Sequence, residues 1–194
     1  SPYLEELKND RLNFIIDAAG IYGQNNALSA AGDIDLDFDL ADADNNFQLE
    51  SSFWYYQDNL KLSSFKLNSD FGRLDLMGEV DLDEKSLKIR YAAKNIDLGI
   101  LDRVYGIELA YLNQTNPTIE YLEGSILDSF SNPTVNLSLR MRELEYQNYL
   151  LENINLKSSY QNDRLKINSL SAKVNQASVE ASGEINNLSA LEQA

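Results

Sequence analysis

Apolar and polar residues alternate along most of this chain. The clearest stretch is 28–40, LSAAGDIDLDFDL, whose even positions read Leu28, Ala30, Gly32, Ile34, Leu36, Phe38 and Leu40, while the odd positions from Asp33 to Asp39 are all aspartate. A period of two over this length marks a β-strand with one dry and one wet face. The same design returns in Leu74, Leu76, Gly78, Val80 and Leu82, which alternate with Arg73, Asp75, Glu79, Asp81 and Asp83, Met77 being the exception. It returns again in Leu87, Ile89 and Tyr91, and in Val135, Leu137, Leu139 and Met141, which alternate with Asn136, Ser138, Arg140 and Arg142. Further strands are expected through Ile154–Leu156, Leu165–Ile167 and Val179–Ala181–Gly183–Ile185.

Local breaks in the alternation carry their own expectations. Leu60 and Leu62 slip out of phase with Phe65 and Leu67 at Ser63-Ser64, which predicts a β-bulge. Ser69-Asp70-Phe71-Gly72 and Asp83-Glu84-Lys85-Ser86 read as turns. Between Asn95 and Gly106 the spacing changes: Leu98, Leu101, Val104 and Tyr105 follow a helical period, with Asp97 able to cap the start and Gly106 able to end it. One short helix is therefore expected near 98–106, and the tail from Leu188 is expected to be a frayed helical end.

The pattern repeats at a longer scale. Asn9-Asp10-Arg11-Leu12 recurs as Asn162-Asp163-Arg164-Leu165, and Tyr56 to Leu62 resembles Tyr160 to Ile167 with one residue inserted. Copies run on to Gly32-Asp33-Ile34, Gly78-Glu79-Val80 and Gly183-Glu184-Ile185, with a weaker ending at Gly124-Ser125-Ile126. Such periods hold several strands each, and divide the chain into approximate units 1–46, 47–95, 96–145 and 146–194. Gly32, Gly78, Gly124 and Gly183 are read as shaping residues. An inward glycine opens a crease or channel, or else marks a bulge.

Composition narrows the function. The 194 residues suffice for one large β domain. A net charge of −15 repels phosphate backbones and makes nucleic acid an improbable partner. The absence of histidine removes histidine triads and histidine-bound zinc, and the absence of cysteine removes thiol chemistry. No apolar run approaches the roughly 18 residues that span a bilayer, and the chain reads as an excised piece of a larger repeating protein. Asp33, Asp35, Asp37 and Asp39 resemble a metal comb, but neighbours on one strand face stand about 7 Å apart and do not converge. A solvated face that discourages edge pairing explains them better. No carboxylate pair, nucleophile motif or phosphate-binding loop stands out, so no catalytic residue, metal or cofactor is expected. Phe53-Trp54-Tyr55-Tyr56 reads as strand residues divided between core and outer face.

Roughly ten strands of about seven residues would present an apolar face on the order of 1200 Å². A soluble monomer seldom exposes more than about 600 Å² in one patch. A second sheet, a partner protein or a lipid must cover it. An acyl chain of about 16 carbons gains on the order of 12 kcal/mol on burial, at about 0.8 kcal/mol per methylene. The residues expected to line such a groove are Leu28, Ile34, Leu36, Phe38 and Leu40, then Leu74, Leu76, Val80, Leu82, Leu87 and Ile89, then Val135, Leu137, Leu139, Val179 and Ile185.

The order Asn-Asp-Arg-Leu, apolar pair, turn, Ala-Ser-Gly-Glu-Ile resembles the repeats of the TamB group of AsmA-like proteins, as does Leu122-Glu123-Gly124-Ser125-Ile126 followed by Asn132-Pro133-Thr134-Val135. The likeness covers most of residues 9–188. It implies a mainly β fold, a long curled antiparallel-type sheet or β-taco with an apolar groove. It also implies a periplasmic segment of an inner-membrane-anchored protein that shields phospholipid acyl chains between inner and outer membrane, with a TamA-like assembly factor as a further partner. The expected function is that of a non-catalytic lipid conduit. The alternatives are an assembly platform that captures β-strands of outer-membrane proteins and a structural β-solenoid.

Overall fold

A computed structural model describes residues 11–22, 28–40, 45–98, 117–146, 149–175 and 177–187. Among them the chain is almost entirely strand: β1 (Arg11–Tyr22), β2 (Leu28–Leu40), β3 (Asn45–Tyr56), β4 (Asn59–Ser69), β5 (Gly72–Asp81), β6 (Ser86–Asp97), β7 (Thr118–Ser129), β8 (Asn132–Tyr146), β9 (Tyr149–Gln161), β10 (Arg164–Val174) and β11 (Ala177–Asn186). These eleven strands form one open sheet in sequence order, every neighbouring pair antiparallel. The expected all-β antiparallel sheet is therefore present, and it does not close into a barrel.

Two turns explain the repeated sequence words. Gln57-Asp58 joins β3 to β4 and Asn162-Asp163 joins β9 to β10, all four residues at positive φ between 46° and 62°. Paired left-handed residues make a type I′ turn, whose twist matches that of the flanking strands. The recurring Tyr-Gln-(Asn)-Asp word is a hairpin signal. The expected bulge also occurs. Leu62 pairs with Gly78 and Phe65 with Leu76, so Ser63 and Ser64 together face Met77. Its counterpart lies two repeats later, where Ile167 pairs with Gly183 and Leu170 with Ala181. In both copies the glycine sits opposite the last residue before the bulge. Of the two readings of the inward glycines, a bulge beside the glycine is present at Gly78 and Gly183.

The helix expected near 98–106 falls almost wholly outside the described residues, as does the tail from 188. Asp97, the expected cap of that helix, ends β6, and its amide donates to the Phe71 carbonyl at 2.9 Å. The Leu98 amide donates to the Pro117 carbonyl at 3.0 Å. These bonds stitch one rim of the sheet. On the other rim the Leu82 amide reaches the Asp58 carbonyl at 2.8 Å and the Phe130 amide reaches that of Lys85 at 2.9 Å.

A single layer buries little. The deepest cluster is Met141, Ile154 and Ala172, with Leu139, Leu170 and Ile119 packed against it. Phe71 is buried beside Phe47, ring centroids 6.2 Å apart, and no described side chain is completely enclosed. The chain exposes 13825 Å², against roughly 9,300 Å² for a compact monomer of its mass.

Candidate functional site

Register turns the alternation of single strands into continuous apolar rows. Phe14, Leu36, Leu49, Leu67 and Leu74 stand directly opposite one another on β1 to β5. Ala93, Leu122, Leu139, Leu156, Leu170 and Ala181 continue the same row through β6 to β11. A second row starts at Ile16 and Ile34, passes Leu76, Tyr91, Gly124 and Leu137, and ends at Gly183. A third runs from Ala18 and Gly32 through Leu62, Gly78, Ile89, Ile126 and Val135 to Ile185. No charged residue occupies any of the three rows. Ten strand spacings of about 4.8 Å and four residue steps of about 3.4 Å give this uncharged band roughly 650 Å² between its outermost Cα positions. That area lies at the upper limit for an exposed patch on a monomer. No second sheet or helix lies over it among the described residues.

The expected lining residues sort as follows. Ile34, Leu36, Leu74, Leu76, Ile89, Val135, Leu137 and Leu139 stand in these rows and are half-buried. Leu28, Phe38 and Leu40 lie on β2, their side chains outside those described. Val80 and Leu87 pair with each other one row further out, with Leu60 beside Val80. Val179 pairs with Ala172, and both Val179 and Ile185 are exposed on the edge strand. Leu82 is a correction: it lies beyond β5 in a turn and is exposed, because the strand ends at Asp81. Alternation alone placed it inward and could not show where pairing stops.

Four glycines are found in the rows, and they do different things. A Cβ on Gly124 would collide with the Asn136 carbonyl oxygen and the Tyr91 ring, and one on Gly78 with the backbone of Lys88 and Ile89. A Cβ on Gly183 meets nothing within 4 Å. Tyr91 lies across Gly124 and donates its hydroxyl to the Asn136 carbonyl at 3.1 Å, which fills the gap in the row with an aromatic ring. Burial pushes the Tyr91 phenol above the ordinary tyrosine value of 10.0. Tyr91 was not among the expected lining residues, since only register shows that it faces a glycine.

The opposite face is charged and exposed. Asp33, Asp35 and Asp37 point to solvent, and Asp33 accepts from the Ser52 hydroxyl at 2.5 Å. Among the described residues no three acids are grouped to hold a metal. Arg73 clasps Asp75 at 2.7 Å, and Arg140 and Arg142 share Glu120 at 3.3 and 3.1 Å. A hollow of about 630 Å³ lies among Asp75, Met77, Arg90, Glu123, Asn136 and Lys157. These positions alternate with the apolar rows, so the hollow belongs to the polar face. It arises where short Ala92, Ser125 and Ser138 sit between longer side chains. Trp54 and Tyr56 stack on that face at 5.6 Å, exposed, while Phe53 and Tyr55 are half-buried in the apolar rows' direction.

The sheet thus carries a wide uncharged band on one side and solvated charge on the other. Compared with family models, curated proteins and solved structures, the chain matches none.

Proposed function

We propose that the apolar face shields hydrocarbon, and that this chain is a non-catalytic segment of a conduit for phospholipid acyl chains between two membranes of the cell envelope. The observation that carries the reading is the band of three charge-free rows crossing all eleven strands, with no protein layer above it among the described residues. A closed sandwich would have satisfied those side chains internally. Among the described residues the face lacks a cover, and an acyl chain of about 16 carbons laid on it gains on the order of 12 kcal/mol. The charged face keeps the other side in water, so one molecule presents both solvents at once. The polar-face hollow plays no part in this reading.

The test uses photoreactive residues placed in cells at Leu36, Leu76 and Leu137, with Asp35 and Asp75 as controls on the other face. Phospholipid adducts from the first three and few from the controls are expected. Adducts only to proteins would point to strand capture instead, and an absence of lipid adducts would overturn the conduit.

A further inference from the structure

The hollow on the polar face has charges that are unevenly committed. It spans β5 to β10, inside the sheet, and holds about 630 Å³. Two cations flank it, Arg90 on β6 and Lys157 on β9. Ser125 and Asn136 follow Arg90 across β7 and β8, and Ser138 on β8 is the direct neighbour of Lys157. Three strand spacings of about 4.8 Å and two residue steps of about 3.4 Å set the two Cα atoms roughly 16 Å apart, a gap that two long side chains and one tetrahedral anion span. Both cations are exposed, and neither forms an ion pair with a described residue. The two acids of the hollow are held by other groups. Asp75 accepts from Arg73 at 2.9 and 2.7 Å, and Glu123 accepts from the Tyr121 hydroxyl at 2.6 Å. Arg73 and Tyr121 each lie two residues back on the same strand, so both carboxylates are drawn away from the row that holds Arg90 and Ser125. The negative excess of the chain also lies elsewhere: no lysine or arginine occurs between Leu12 and Leu60, where Asp17, Asp33, Asp35, Asp37, Asp39 and Glu50 are found.

We propose that this hollow binds a phosphorylated polyol, with the phosphate between Arg90 and Lys157 and the polyol hydroxyls on Ser125, Ser138 and Asn136. A guanidinium forks onto two phosphate oxygens, and an ammonium meets a third as a point charge. A planar carboxylate that fills the fork has no further oxygen for the second cation. The Asn136 amide donates to the Ser125 Oγ at 3.2 Å, so that hydroxyl keeps its own proton for an acceptor on the ligand. The hollow is far larger than a bare phosphate, and its floor of hydroxyls and an amide suits the rest of a polyol ester. The site lies on the face opposite the apolar rows and stands whether or not hydrocarbon occupies them.

The probe is glycerol 3-phosphate, titrated calorimetrically into the 194-residue chain at low salt. Charge-assisted contacts in an open site are expected to give a Kd on the order of 1 mM. Inorganic phosphate should bind about threefold more weakly or worse, having no polyol contacts, and glycerol should not bind. Arg90→Ser and Lys157→Ser should each weaken the ester about fivefold or more. Glu123→Gln should strengthen it about threefold by removing a like charge. Lys173→Ser, which removes an exposed cation of β10 outside the hollow, should leave it unchanged, and the circular dichroism spectra of all four variants should match the parent. An absence of binding, binding that survives Arg90→Ser and Lys157→Ser combined, or equal weakening by Lys173→Ser would overturn the site. Inorganic phosphate bound as tightly as the ester would overturn the polyol contacts.

Discussion

The Tyr91 hydroxyl reaches over Gly124 to the backbone carbonyl of Asn136, 3.1 Å away and two strands across the sheet. The contact closes a gap that the glycine leaves, and it makes the two residues interdependent. Replacing Gly124 with valine drives a side chain into the ring and the carbonyl, and should cost about 1–3 kcal/mol by overpacking. The same change at Gly183, where a Cβ meets open space, should cost little. Urea midpoints of the two variants measure the difference. Equal losses would show that inward glycines act alike.

The half-buried Tyr91 phenol makes the fold sensitive to alkaline pH. Its folded pKa is raised above 10.0 by desolvation, so the neutral form is favoured in the native state. That contribution is complete below the unfolded value and disappears as pH rises through the folded one. Tyr91→Phe should therefore lose less stability between pH 9 and pH 11 than the parent chain does. Parallel decline of both proteins in thermal melts at these pH values would count against it.

Stability should concentrate at the buried cluster on β8, β9 and β10. Met141 is 5 % exposed within the Ile154 and Ala172 cluster, and Met141→Ala should cost about 2–5 kcal/mol. Ile185→Ala, on the exposed edge strand, should cost well under half as much. Chemical denaturation of both variants decides this.

The hairpin turns offer a gain instead of a loss. Gln57 is at φ 46°, a conformation that asparagine adopts more readily than glutamine. Gln57→Asn should raise stability by about 0.5 kcal/mol, and Gln57→Val should lower it. Denaturant midpoints in the order Asn, Gln, Val check the assignment of a type I′ turn.

A charge placed in the rows should act on binding more than the same charge on the opposite face. Leu76 stands between Phe65 and Tyr91 in the second row. Leu76→Asp should weaken binding of a fluorescent fatty acid at least tenfold, about 1.4 kcal/mol. Met77→Asp, one residue along on the exposed charged face, should leave it unchanged. Equal weakening by both would sink the assignment of the binding face.

Alternation in single strands was legible in the residues: 28–40 and 72–81 show which side of each strand is dry, because side-chain direction has a period of two and needs no neighbour to establish it. The slip at Ser63-Ser64 was legible for the same local reason, whereas the repeated Tyr-Gln-(Asn)-Asp word was legible as a repeat and became a turn only with the backbone angles. Leu82 was misplaced because strand ends depend on where pairing and rim hydrogen bonds stop, and its partner, Asp58, is distant in sequence. Only the tertiary structure decided that the strands pair in order, with registers that join Leu36 to Leu74 and Leu139 in one uninterrupted row. Local composition fixes which face of a strand avoids water. Whether that face meets a second layer or stays open is a property of the whole assembly of hydrogen bonds, and among the described residues they make one layer.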